Sequence, residues 1–109
     1  MQYRIKYLPI ANRDILAIAE HVSSFSPVAA GKLLDRMETL IADLSQLPYL
    51  WEAYPEDPFY RRIVLDAYLV FYHVNEADGS IEIHRVLHGV RDIPNALKRV
   101  EDSRNTTAP

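Results

Sequence analysis

A chain of 109 residues has room for one hydrophobic core and little for a second lobe, and its 49% hydrophobic, 25% charged composition excludes a disordered polymer. The lack of cysteine removes disulfide frameworks, thiolate metal centres and cysteine nucleophiles. A net charge of -3 argues against nucleic-acid binding by the chain as a whole, and no run approaches the roughly 20 apolar residues of a membrane helix, so the cytoplasm is the expected compartment.

The opening "QYRIKY" alternates, with Tyr3, Ile5 and Tyr7 on one side and Arg4 and Lys6 on the other, as a half-buried strand does; Pro9 ends it. From Asn12 to about Phe25, Ile15, Ile18, Ala19 and Val22 recur at the spacing of one helical face. "SFSP" breaks that helix and starts another, since Ser26 can cap orphan N–H groups and Pro27 at the first helical position gives up no needed donor. The second helix is predicted from Pro27 to about Gln46, with Leu33, Met37, Leu40, Leu44 and Leu47 along one stripe. A short antiparallel helical hairpin follows.

"PYLWEAYPEDP", with three prolines, is too broken for a regular element, and its Tyr49, Trp51 and Tyr54 favour a loop packed back on the core. Strands are predicted at Phe59 to Leu65, Tyr68 to Asn75 and Ser80 to His88, joined by the short Asp66-Ala67 link and the "EADG" turn. Both faces of the Tyr68 strand are apolar, which makes it central. A short helix is expected from Ile93 to about Glu101, beginning near Pro94. The order predicts an α+β fold: an N-terminal strand, an antiparallel helical hairpin, a three-stranded antiparallel run completing one sheet, and a short C-terminal helix. Residues 1–101 are read as a single domain and 102–109 as a flexible tail.

Simple alternation puts Ile81, Ile83, Arg85 and Leu87 on one face of the last strand, and Glu82, His84, Val86 and His88 on the other. It also sets Arg61 with Ile63 and Leu65, and Arg62 with Tyr60 and Val64. A guanidinium keeps its charge, so Arg85 among apolar residues needs a carboxylate, a path to water or an anionic ligand. Asp66 and Glu82 are candidate partners in the structural case. In the functional case Arg61 or Arg62 converges with Arg85 to hold a phosphate, and His88 moves a proton. RNA cleavage through the 2′-hydroxyl needs those parts. No metal site is expected: His84 and His88 are about 13 Å apart at strand rise. No cofactor is expected either, since the three glycines form no phosphate loop. Acidic residues Asp35, Glu38, Asp43, Glu52, Glu56 and Asp57 fall mid-chain, whereas Arg61, Arg62, Arg85, Arg91, Lys98 and Arg99 come later, leaving room for a local basic face.

"FYRRIVLDAYLVFYHV" followed by "IEIHRVLHGVRD" resembles the C-terminal half of the RelE/ParE superfamily of bacterial type II toxins, and the likeness runs over roughly Tyr3 to Ala96. The resemblance implies a toxin neutralised by a cognate antitoxin whose C-terminal segment wraps it, with operator DNA bound through the antitoxin. Its "YRR" strand and "VLHG" ending look closer to the ParE branch, which implies binding and inhibition of DNA gyrase. The alternative is a RelE-like mRNA endonuclease acting on the ribosome, in which Arg61, Arg62, Arg85 and His88 are the catalytic residues. Against that branch, Tyr68 stands where an arginine is typical, and no tyrosine follows His88. A third reading is a degenerate toxin that retains only its antitoxin groove. The acidic net charge departs from both branches, which are usually basic. For the antitoxin, the hairpin's outer edge and an exposed sheet edge are the candidate surfaces, with "QYRIKY" a possible edge strand.

Overall fold

The computed structural model describes residues 2–89 and 93–97. The expected extension of the last helix to residue 101, the tail 102–109, and Arg91, Lys98 and Arg99 lie outside the described residues. The elements are β1 (Arg4–Tyr7), α1 (Pro9–Phe25), α2 (Pro27–Asp43), β2 (Arg61–Leu65), β3 (Tyr68–Asn75) and β4 (Ser80–His88). Residues 93–97 add a helical turn. One four-stranded sheet has the order β1-β4-β3-β2; β1 runs parallel to β4 and the other pairs are antiparallel. β1 and β2 are therefore its edges.

Pro9 opens α1 rather than merely closing the strand, because its missing N–H is one that the first helical turn leaves unbonded anyway. Ser26 serves both helices. Its N–H donates to Val22 O at 2.9 Å, closing α1, and its hydroxyl accepts from Ala29 N at 3.1 Å, opening α2. α2 stops at Asp43, a turn earlier than the leucine stripe suggests, and Leu44 continues the buried side as the helix loosens. Phe59 and Tyr60 likewise precede β2 rather than belonging to it.

The helices cover one face of the sheet, where Ile18, Met37, Ile41, Ile63, Val70, Tyr72, Ile81, Ile83 and Val86 form the main core. A second cluster, Tyr54, Tyr60, Leu69, Phe71, Ile93 and Leu97, lies on the other face, with Phe59 and Leu87 against it. β3 is buried on both faces, consistent with its central place. Trp51 and Tyr54 of the proline-rich loop pack inward, while Tyr49 and Leu50 are half exposed.

Simple alternation fails in β4. Phe71 is opposite Arg85 and Tyr72 opposite Ile83, so His84 is an extra residue, a β-bulge. One inserted residue swaps the faces that follow it. Ile81, Ile83 and Val86 all belong to the helix-side core, whereas Arg85 falls beside Phe71 and Leu87 packs on the second cluster. The expected grouping of Arg85 with Ile81 and Ile83 is corrected accordingly.

Candidate functional site

β1 ends at Tyr7, its last ladder bond running from Leu8 N to Ile83 O at 3.0 Å, but β4 continues to His88. Beyond Ile83 no strand pairs with that side of β4 among the described residues. Asp14, in the second turn of α1, takes the missing strand's place. Its Oδ2 accepts from Val86 N at 3.0 Å and from Arg85 Nε at 2.7 Å, and its Oδ1 accepts from Arg85 Nη2 at 2.9 Å. Arg85 Nη1 donates to Ala96 O at 3.2 Å. The guanidinium thus joins α1, β4 and the C-terminal helical turn through a fork-on-fork carboxylate contact, and Arg85 is only 8% exposed.

Neither partner suggested for Arg85 by the sequence is the one used. Asp66 turns outward to Arg36 at 2.9 Å, and Glu82 accepts from Asn75 and His84. The bulge sets Arg85 beside Phe71 rather than with Ile81 and Ile83, and there the Asp14 carboxylate and Ala96 O reach its guanidinium. Asp14 escaped the sequence reading although a signal existed: it falls three residues after Ala11 and four before Ile18, on the buried stripe of α1.

The remaining candidate residues stand apart. Arg61, opposite Tyr72, donates to Trp51 O at 2.6 Å and lies 4.7 Å over the Tyr49 ring. Arg62, on the other face, lies 5.1 Å over Tyr54. Arg62, Phe71 and Arg85 form one cross-strand row, so the two arginine backbones are two strand spacings apart, roughly 10 Å. Their heads are held by Tyr54 and Asp14 respectively. His88 is exposed at the end of β4, with its ring 4.9 Å from that of its cross-strand neighbour Tyr68. The four side chains do not meet.

A different set does meet on the second face. His73 is opposite Glu82, and the bulge keeps His84 on the same side, buried, with Nε2 3.2 Å from Glu82 Oε1. His73 Nδ1 is 2.9 Å from Phe59 O; a carbonyl only accepts, so Nδ1 carries the proton. Phe59 stacks on that imidazole at 3.8 Å. Burial pushes the Glu82 carboxyl up, but hydrogen bonds from Asn75 and His84 and the two histidines' charge outweigh it and hold it below the usual range. Among the described residues no three His, Asp or Glu side chains are placed to hold a metal ion. A histidine opposite a glutamate is invisible until strand register is known, which is why this cluster was missed.

On the helix side, α1, α2 and the end of β1 enclose an open groove of about 410 Å³ lined by Tyr7, Asn12, Ile15, Leu34, Met37, Glu38 and Ile41. Burial and then the Glu38 charge push the Tyr7 phenol up. At the other end of β1, Glu76 in the β3–β4 turn accepts from the hydroxyls of Tyr3, at 2.6 Å, and Tyr49. These bonds hold Glu76 low, and the Tyr3 phenol is pushed up to about 12, first by its hydrogen bond to Glu76.

Residues 5–93 match the family described as "ParE toxin of type II toxin-antitoxin system, parDE". Toxin RelE2 of Caulobacter vibrioides is 30% identical over 78 residues, covering 72% of this chain and 85% of that protein. Among solved structures, the chromosomal ParDE system of P. aeruginosa superposes with a TM-score of 0.68 at 22% identity, covering 82% of this chain and 98% of that one. A mutant of the E. coli toxin RelE in the free state gives 0.68 at 11% identity, covering 94% and 98%. The toxin–antitoxin complex RelBE2 of Mycobacterium tuberculosis gives 0.56 at 19%, covering 81% and 99%.

Proposed function

Because the chain belongs to the RelE/ParE superfamily of type II toxin–antitoxin toxins, we propose that it is a ParE-like toxin that inhibits DNA gyrase by binding and is neutralised by a cognate antitoxin. The observation that carries this reading is the state of Arg85. A phosphate-cleaving centre on the sheet needs cations free to meet the charge that develops in the transition state. Here the most deeply placed arginine among the described residues is closed onto Asp14 and a backbone carbonyl, Arg61 and Arg62 point to opposite faces, and His88 packs on Tyr68. A toxin that works by occupying its target has no need of such convergence.

The antitoxin contact fits the helix-side groove and the edge strand β1, which together offer apolar anchors and backbone groups beside them. Expression without the antitoxin is expected to induce a DNA-damage response and filamentation, and the purified chain to inhibit gyrase supercoiling. Growth arrest with neither effect overturns the proposal, and no growth arrest at all points to a degenerate toxin that retains only its antitoxin groove.

One observation favours a second reading: the relative named Toxin RelE2 is the 30% identical one. In that reading Arg61, Arg62, Arg85 and His88 cleave ribosome-bound message after Arg85 leaves Asp14. Message cleavage that survives joint substitution of Arg85 and His88 removes it.

A further inference from the structure

The side of α2 that faces away from the core carries features its own chain does not use. Val28, Lys32, Asp35 and Thr39 recur at the spacing of one helical face, bordered by Gly31, and lie opposite the buried Ala30, Leu33, Met37 and Ile41. Val28 is 68% exposed. Gly31 sits inside the helix, where glycine is weaker than alanine, yet an added Cβ meets nothing within 4 Å, so no close approach within the chain requires it. Between two and three turns beyond Val28, the side chains of Asp35, Arg36, Thr39 and Leu40 surround an apolar surface hollow of about 310 Å³. Arg36 is held by Asp66 at 2.9 Å, whereas Lys32 and Asp35 have no ion-pair partner among the described residues.

Two copies of α2 laid antiparallel, with a two-fold axis between positions 33 and 34, satisfy these features in one register. Lys32 of each copy then faces Asp35 of the other, and Gly31 leaves room for Arg36 of the second copy. Val28 comes level with Thr39 of the second copy, where the hollow lies. No like charges meet. Glu38 lines the groove toward α1, Asp43 comes level with the uncharged Ser24, and Arg13, Asp14 and Glu20 stand on α1. We propose that the outward face of α2 is a self-association surface on which a second copy of this chain docks antiparallel, Val28 entering the hollow and Lys32 pairing with Asp35 on both sides of the axis. One helix from each copy makes a contact at the small end of specific interfaces, so dissociation on the order of micromolar is expected. The surface is separate from the groove between α1 and α2 and does not depend on the antitoxin reading.

Sedimentation velocity of the purified chain at low salt, from about 1 to 200 μM, is expected to show monomer giving way to dimer. Asp35→Lys and Lys32→Asp each set two like-charge pairs in the contact and are each expected to weaken dimerisation by about tenfold or more, while the two combined restore it to within about threefold. Val28→Asp and Gly31→Gln, both at exposed positions and checked for folding by circular dichroism, are expected to leave monomer alone. Glu56→Lys, a charge change on the proline-rich loop, is expected to leave dimerisation as it is. A chain that stays monomeric throughout overturns the proposal, as does a dimer that Val28→Asp leaves intact. Single reversals that the combination does not rescue, or a Glu56→Lys effect as large as that of Asp35→Lys, overturn it too.

Discussion

Replacing Asp14 by alanine takes the carboxylate from an arginine with a side chain only 10% exposed, and from a backbone N–H that has no strand partner. Three hydrogen bonds go at once, two of them to a guanidinium that cannot shed its charge. Breaking one side of a buried ion pair costs about 3–5 kcal/mol, because the surviving charge stays desolvated. For Asp14→Ala we expect a loss of about 4 kcal/mol, a large share of the roughly 5–15 kcal/mol that holds a domain together. Urea unfolding followed by Trp51 fluorescence and circular dichroism measures it. Asp14→Leu combined with Arg85→Met removes both charges and is expected to recover most of the loss, leaving a deficit of about 1 kcal/mol for the Val86 N–H that lost its acceptor. The double variant also separates structure from chemistry: folded and still growth-inhibiting, it assigns Arg85 a structural role. An Asp14→Ala protein within about 1 kcal/mol of wild type refutes the reasoning, since Arg85 then does not depend on the pair.

Gly31 lies inside α2, where an added Cβ meets nothing within 4 Å, so Gly31→Ala is expected to raise stability by about 1 kcal/mol, read as a higher urea midpoint. The Tyr3 phenol is expected to ionise near pH 12 in an ultraviolet titration, and Glu76→Gln to bring it down toward the ordinary value; the stability tied to it is intact below the unfolded value near 10 and is lost as pH rises toward 12. Glu82 works in the opposite sense. Its folded value lies below the ordinary one, so its contribution is complete above about pH 4.5 and fades as pH falls through the folded value. Glu82→Gln is expected to flatten the urea midpoint between pH 3 and 5, and an unchanged slope there counts against the role given to this carboxylate.

The hairpin and the central strand were readable because their signals are local. Ser26 and Pro27 announce the turn, and the two apolar faces of β3 announce a strand covered on both sides. The side chains' arrangement was not readable where it depends on distant partners. The bulge at His84 leaves no mark in alternation, yet it decides which way Arg85 faces. Asp14 becomes meaningful only once β1 is known to stop short of β4's end. The His73–Glu82–His84 cluster needs the β3–β4 register for the same reason. The expected alternatives for Arg61 and Arg62 were separated by their stacking on Tyr49 and Tyr54, which belong to a loop that sequence periodicity does not describe.

The parallel pairing of β1 with β4 also sets a schedule. Arg4 pairs with Ser80, and Asp14 bonds to Arg85, 71 residues further along the chain. Contacts of such sequence separation are slow to form and cannot begin until both ends exist. On the ribosome, β1 and α1 emerge first and wait with an unpaired strand edge and an unanswered carboxylate until β4 is made. The sheet closes only after residue 88 has cleared the exit tunnel, so a chain cut short before β4 lacks both the partner of β1 and the arginine that answers Asp14.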